Sequence, residues 1–388
     1  MSEQNTMPLV PFGNTSGGTG WNSGGTSGGT SGGTSGGTSA EFMSQEARIL
    51  ARAGIVGVFK NGYKDDTVTP PLQLVLSGPT TDHGARLKRW DAEQLVSIGL
   101  GEALERLQVT GDRPGPVKVQ LIPADCTPID LLELTPPTLP KLAQQLPKVI
   151  EYADLRGERS AEIASQIGWP LGAWTALLGM RPRQHQYTVL LMHVAQDLAV
   201  HLIRRVKHLC DVPRPSQLSP QVHPMVDVPS HGAWPGGHAA EAFLAARLLQ
   251  ALIEKAQPSM NQDLLKGQLN RQAARIAQNR VVAGLHFPVD TLAGQVMGTA
   301  LAEYLIHRCV PTLSLSMGAC VGDQMASADY TLCELTAQAV DGASLSSLTV
   351  VHPNPAPTLK HLWDEAVEEW ALYAAPATAG HANDSVPV

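Results

Sequence analysis

The stretch Gln184–Cys210 constrains the fold more than any other part of the chain. Its apolar residues Val189, Leu190, Met192, Val194, Leu198, Val200, Leu202 and Ile203 form a long amphipathic helical pattern. A helix of that length has to lay its apolar face on partners. Three candidates follow in the chain. His238–Ala256 is dense in Ala and Leu, Gln262–Ala283 is a second helical stretch, and Val289–Val310 is a third, opened by Pro288 near its first turn. Ala239, Ala240, Ala242, Ala245 and Ala246 are small enough to let helices approach closely. Leu139–Ala153 and Leu155–Ile167 add two helices upstream, and Leu359–Leu372, with Trp363 and Trp370, adds one near the end. The expected fold class is all-α: a helical bundle with a small mixed N-terminal segment, its end loops carrying any site.

Composition divides the chain further. Residues 1–42 contain Ser-Gly-Gly-Thr repeats and read as a flexible tag and linker outside the fold. Residues 43–127 read as an N-terminal segment of the catalytic unit, with strand signals in Val68–Ser77 and Val117–Ile122 and a helix at Ala92–Leu107. Residues 128–310 form the expected helical core, 311–373 a C-terminal extension with one helix, and 374–388 a disordered tail. The last helix suits either a dimer contact or a cap on the bundle.

Bulk properties exclude several classes. The net charge of −7 over 388 residues gives no global attraction to nucleic acid or an anionic membrane. No apolar run reaches the roughly 18 residues of a membrane helix. Ile167–Met180 comes closest and is interrupted by Pro170 and by Gly168, Gly172 and Gly179. The N-terminus has no signal-peptide pattern. Five scattered cysteines without a C-x-x-C spacing fit idle thiols in a reducing compartment, so a cytoplasmic location is expected.

Within this acidic chain three segments gather cations and imidazoles. The first is Lys207, six residues, then Arg214-Pro215; the second is Pro235-Gly236-Gly237-His238; the third is Arg280, five residues, His286, three residues, Asp290. Pro213 and Pro215 stiffen the backbone around Arg214, whose guanidinium can grip oxygens bidentately, while Lys207 adds a point charge. Gly236 and Gly237 precede a helix whose first N–H groups can bind an anion, with His238 beside it as acid or base. Asp290 can reach back from the first turn of its helix to fix the tautomer of His286. Each segment also has a bland explanation: a basic helix end, a glycine hinge, an acidic residue favourable at a helix start. Together they suit a small anion with several oxygens. Metal-site alternatives are thinner, since His201 and His208 share a helix face without a Cys or carboxylate pattern to complete zinc.

These segments resemble the superfamily that joins type 2 phosphatidic acid phosphatases, bacterial class A acid phosphatases and vanadium-dependent haloperoxidases. Its pattern is K-x(6)-R-P, P-S-G-H and S-R-x(5)-H-x(3)-D, and every internal spacing is kept between Lys207 and Asp290. The resemblance implies that Lys207, Arg214, Gly236, Gly237 and Arg280 bind the oxyanion and that His286 is bonded to vanadium or phosphorylated. It also implies that His238 is the acid/base and that Asp290 orients His286. Gly236 and Asn279 stand where the pattern has Ser. The missing hydroxyl at 236 removes a hydrogen bond worth about 1.5–3 kcal/mol to a charged partner. The leading expectation is a haloperoxidase with vanadate as cofactor, oxidising bromide or iodide with hydrogen peroxide. His231 and Trp234 are expected to wall the halide pocket. The alternative is a phosphomonoesterase acting on a phosphate ester through a phosphohistidine at the same site. An inactive binding protein is a third reading. A homodimer is possible under any of them.

Overall fold

The computed structural model describes residues 82–123, 126–181, 183–310, 315–327, 341–348 and 356–372. The linker at 1–42, the strand candidate in Val68–Ser77 and the tail at 374–388 lie outside these residues. The chain divides into two units, Met1–Asp91 and Ala92–Val388. In the first, the described part is a short helix, His83–Leu87. Everything below concerns the second.

Nine principal helices and five strands follow in order among the described residues of this unit: α1 (Ala92–Leu104), β1 (Leu107–Gly111), β2 (Val117–Leu121), β3 (Ile129–Thr135), α2 (Leu139–Tyr152), α3 (Arg156–Ser165), α4 (Leu171–Leu178), α5 (Gln186–Cys210), α6 (Gly237–Ala256), α7 (Gln262–Val282), α8 (Pro288–Cys309), β4 (Leu315–Val321), β5 (Ala343–Leu348) and α9 (Pro357–Ala371). The helices expected from apolar periodicity are present, with ends shifted by at most three residues. The loop between α5 and α6 holds one further turn of helix, Pro215–Leu218.

The middle of the unit is α8, which is buried on every face except at Thr299 and Glu303. A helix that is buried all round needs close neighbours, and α6 provides one. A Cβ at Gly294 would stand 2.4 Å from the Gly236 carbonyl oxygen, and one at Gly298 would stand 2.2 Å from that of Ala240. The glycines let the two backbones touch, against the small-residue face of α6 read from the sequence.

The expectation of an all-α fold is corrected by a five-stranded mixed sheet in the order β1-β2-β3-β4-β5. Its pairings are antiparallel except β3 with β4, which is parallel. The sheet joins strands from the two sides of the helical core, and it packs on α8 through Gly318, next to Val296 and Leu132. The helix α9 buries Leu359, Leu362, Trp363, Ala366 and Trp370 within the chain, so that apolar face caps the bundle. Carboxylates lock the helix starts. Glu369 accepts from the N–H groups of Tyr187 (2.7 Å) and Thr188 (2.9 Å), and Glu102 accepts from those of Thr358 and Leu359. Among the described residues, no helix is long and apolar enough to cross a membrane.

Candidate active site

Four helix ends meet at one end of the bundle. The last turn of α5 carries Lys207, and Asp211, in the left-handed region at φ 47°, then turns the chain toward Arg214. The first turn of α6 carries His238, the last turn of α7 carries Arg280, and a short turn leads through His286 to Asp290 in the first turn of α8. They surround a cavity of about 140 Å³ lined by Lys207, Arg214, Gly237, His238, Arg280 and His286, together with His231, Arg204 and Glu241. Val200, Ile203, Pro229 and Leu285 form its apolar side.

The cations are buried and held by carbonyl oxygens. Lys207 donates to the carbonyls of Gly232 (2.8 Å) and Ala233 (2.6 Å). Burial, and then the neighbouring Arg214, pull its pKa well below the usual lysine range. Arg214 donates to the carbonyls of His231 (3.3 Å), Gly232 (3.3 Å) and Leu285 (2.9 Å), and also to two imidazoles. Arg280 donates to the carbonyls of Ile163 (3.1 Å) and Gln166 (3.2 Å), while its Nε is buried with no hydrogen-bond partner among the described residues. Burial lowers the Arg280 pKa to about 10, which leaves it a cation at neutral pH.

Hydrogen-bond roles fix the imidazole tautomers. A guanidinium can only donate, so His286 Nε2, 3.1 Å from Arg214 Nη1, is an acceptor. The His286 proton is therefore on Nδ1, where it donates to Asp290 Oδ2 at 3.0 Å. The same carboxylate oxygen accepts from the Phe287 N–H at 2.9 Å. Burial, followed by the charge of Arg214 and of Lys207, pushes His286 well below its ordinary pKa of 6.5. Burial pushes Asp290 up to about 6 against the opposing pull of the Phe287 N–H and of the two cations. At neutral pH the pair is a neutral imidazole backed by a carboxylate, and its Nε2 lone pair, directed at Arg214 Nη1, belongs to a ring that lines the cavity.

His238 Nε2 lies 3.0 Å from the Gln166 carbonyl, which can only accept, so this ring carries its proton on Nε2 and leaves Nδ1 as the free lone pair. Its pKa is lowered by burial; Glu241 raises it and Arg280 lowers it. His231 Nδ1 lies 3.2 Å from Arg214 Nη2 and 3.2 Å from the Gly232 carbonyl, a donor and an acceptor at equal distance, so this ring accepts from the first in one tautomer and donates to the second in the other. Burial, with Lys207, Arg214 and Arg204 adding to it against the Gly232 carbonyl, takes its pKa down to about 4.

Two of the expected site residues are elsewhere. Trp234 is fully buried and does not line the cavity, because the α5–α6 loop turns it into the core. Gly236 also lies behind the lining, and its N–H is already committed to the Asp290 carbonyl at 2.7 Å. A Cβ there would meet that carbonyl oxygen at 2.9 Å, so glycine at 236 reflects the close approach of α6 to α8 as well as a missing hydroxyl. Three lining or supporting residues were not singled out from the sequence. Glu241 is three residues after His238 and Arg204 three before Lys207, spacings that share a helix face and could have been read. Gln166 acts through its backbone carbonyl, which leaves no signal in a side-chain pattern.

Residues 187–314 match the PAP2 superfamily. This superfamily includes phosphatases and haloperoxidases. The matched stretch spans all three motif segments and the helices α5 to α8 that carry them, while Gln166 and α3 lie before it. No curated protein matches the chain. Among the described residues no cluster of three His, Cys, Asp or Glu side chains could hold a metal ion. The cavity instead offers cations, a helix start at Gly237 and His238, and the imidazole of His286, groups of the kind that can hold a small oxyanion.

Proposed function

We propose that this chain is a vanadium-dependent haloperoxidase, holding vanadate against His286 and oxidising bromide or iodide with hydrogen peroxide. The observation that carries the reading is the cavity itself, which gathers Lys207, Arg214, Arg280, His238 and His286 around one small space. His238 bonds the Gln166 carbonyl through Nε2, so its other nitrogen is the unprotonated one. Hydrogen peroxide has to lose protons to be activated, and His238 Nδ1 is the nitrogen free to accept one.

The residues fit the oxyanion. Arg280 Nε is buried without a partner among the described residues, and His286 Nε2 keeps its lone pair because the ring proton is on Nδ1, donated to Asp290. Lys207, Arg214 and Arg280 neutralise the oxygens, with the first N–H groups of α6 at Gly237 and His238 beside them. Bound vanadate supplies a Lewis-acidic centre at which peroxide becomes an oxidant for halide. The chain's own part is to hold that centre, to take the peroxide proton, and to keep a cationic flank for the halide at Arg204 and the neutral His231.

One observation favours a phosphomonoesterase at the same site. Glu241 lines the cavity and favours the protonated form of His238 against the net lowering by burial, and in that form Nδ1 carries a proton that can go to a leaving alcohol. In that reaction His286 Nε2 bonds to phosphorus as the ester oxygen leaves with the proton from His238. Water then takes the phosphoryl group and returns its own proton to His238. A paired assay separates the two. The purified chain is given vanadate, bromide and peroxide, and separately p-nitrophenyl phosphate. Vanadate-dependent bromination that phosphate suppresses supports the proposal. Phosphate ester hydrolysis that vanadate only inhibits, with no bromination, overturns it.

A further inference from the structure

We propose that Gln166, in a segment that precedes the PAP2 match, is the positioning residue that aims both His238 and Arg280 at the oxyanion. Its backbone carbonyl accepts from His238 Nε2 at 3.0 Å and from Arg280 Nη1 at 3.2 Å. One acceptor therefore fixes a ring from α6 and a guanidinium from α7. The next carbonyl back along the same helix end that touches the guanidinium is that of Ile163, at 3.1 Å from Arg280 Nη2. These oxygens belong to the carboxyl end of α3, which carries the negative end of the helix dipole; that of Ile163 also accepts from the Gln166 N–H at 3.2 Å. A cation and an N–H donor are the groups such an end attracts.

The side chain of Gln166 fixes the position of its own carbonyl. Oε1 accepts from Asn279 Nδ2 at 2.9 Å, and Nε2 donates to Glu162 Oε1 at 3.3 Å. Asn279 is held in turn, because its Oδ1 accepts from the buried Arg159 Nη1 at 3.2 Å, which also donates to Gln278 Oε1 at 2.7 Å. Gln166, Gln278 and Asn279 are buried as well. Asn279 stands where the superfamily pattern has Ser. Here that departure is used: an amide both donates to Gln166 and accepts from Arg159 at these positions. The chain has a buried polar chain Arg159–Asn279–Gln166 that ends on two groups of the cavity.

The consequence concerns which nitrogen of His238 is available. The Gln166 carbonyl holds the proton on Nε2, which leaves Nδ1 as the proton acceptor. The charged and titratable groups acting on this ring are Glu241 from its own helix, Arg280 from α7, and His286 from the turn before α8. None of them is hydrogen-bonded to Nε2; the carbonyl of Gln166 is, at 3.0 Å, with the backbone of Ile167 also acting on the ring. The geometry stands by itself, and its effect on ligand binding rests on the oxyanion reading.

The test uses Gln166→Leu, which removes the tether, and Gln166→Glu, which keeps an acceptor oxygen for Asn279 and Arg280. The tautomer of His238 is read from nitrogen-15 shifts in the full chain, and inorganic phosphate is titrated against each variant. The parent is expected to hold His238 in the Nε2–H form. In Gln166→Leu the ring should become a mixture of tautomers and the phosphate dissociation constant should rise about tenfold, while Gln166→Glu should stay within about threefold of the parent. A folded Gln166→Leu with unchanged tautomer and affinity overturns the proposal, as does a Gln166→Glu that falls as far as the leucine variant. If Gln166→Leu does not fold, Asn279→Ser carries the same expectation and the same contrary result. If the parent binds no phosphate, the oxyanion reading fails, and the tautomer shift still decides the role of Gln166.

Discussion

Gly236→Ala and Gly236→Ser together test whether the α6–α8 contact or a missing hydroxyl explains glycine at this position. A Cβ at 236 would lie 2.9 Å from the Asp290 carbonyl oxygen, 3.2 Å from its carbonyl carbon and 3.4 Å from the Thr291 Cα. All three are backbone atoms in the first turn of α8, so none can rotate aside. Overpacking of this kind costs about 1–3 kcal/mol. Replacing glycine also reduces the entropy of the unfolded chain, which returns roughly 0.4–1 kcal/mol. The net expectation for Gly236→Ala is a loss of about 1–2 kcal/mol in urea denaturation, with a fall in Tm of a few degrees. The 2.7 Å bond from the Gly236 N–H to the Asp290 carbonyl is strained by the same displacement. Because Asp290 holds His286, phosphate affinity should fall as well. The serine variant separates the two explanations. A hydroxyl reaching the anion would add about 1.5–3 kcal/mol of binding; the packing argument expects Gly236→Ser to lose stability like the alanine variant and to gain no affinity. A Gly236→Ala protein as stable as its parent refutes the reasoning.

Glu369→Ala removes the acceptor for the Tyr187 and Thr188 N–H groups and for the Thr188 hydroxyl (2.8 Å), and should cost about 1–2 kcal/mol by chemical denaturation. His231 should titrate near pH 4 by NMR. Since its folded pKa lies below the ordinary 6.5, its contribution to stability is complete above that value and is lost as the pH falls through about 4. His231→Gln should flatten that acid-side loss, and a ring titrating near 6.5 would contradict the cationic surroundings described for it. Asp290, raised to about 6, has the opposite sign: its contribution is complete below 3.8 and lost as the pH rises through 6. Asp290→Asn should therefore leave the fold at least as stable at neutral pH, yet reduce activity roughly ten- to hundredfold by releasing the His286 tautomer. A variant of normal activity would remove the orienting role from this carboxylate.

The helices were legible because each has a long apolar period and its own stop signals, and Gln186–Cys210 and Pro288–Cys309 fall within a few residues of the sequence reading. The sheet was not. Leu315–Val321 contains Ser, Gly, Ala and Cys where a strand signal needs branched or aromatic residues, and Ala343–Leu348 is half serine. Their strand character comes from distant pairing, above all Leu132 with Gly318 across the parallel contact of β3 and β4. The same division holds in the site. Lys207, Arg214, His238, Arg280 and His286 sit at helix ends or just beyond them, where fixed spacings fix their relative positions, and the cavity brings all five together. Trp234 was misread because a loop residue's direction depends on packing that no local pattern encodes. Arg159, Gln166 and Asn279 act through contacts across more than a hundred residues of sequence, so nothing near them in the chain announces the connection.

Lys207, Arg214 and Arg280 are proposed to grip one oxyanion against His286. Calorimetric titration of vanadate, and of phosphate in competition, into the parent and into Lys207→Met, Arg214→Met, Arg280→Met and His286→Ala tests this. One site per chain, shared by both anions, is expected. Each lost cation should weaken it roughly 10- to 100-fold, as expected for one charge-assisted hydrogen bond. Anion binding that survives unchanged in any two of the three cation variants, or that phosphate and vanadate do not share, would contradict it.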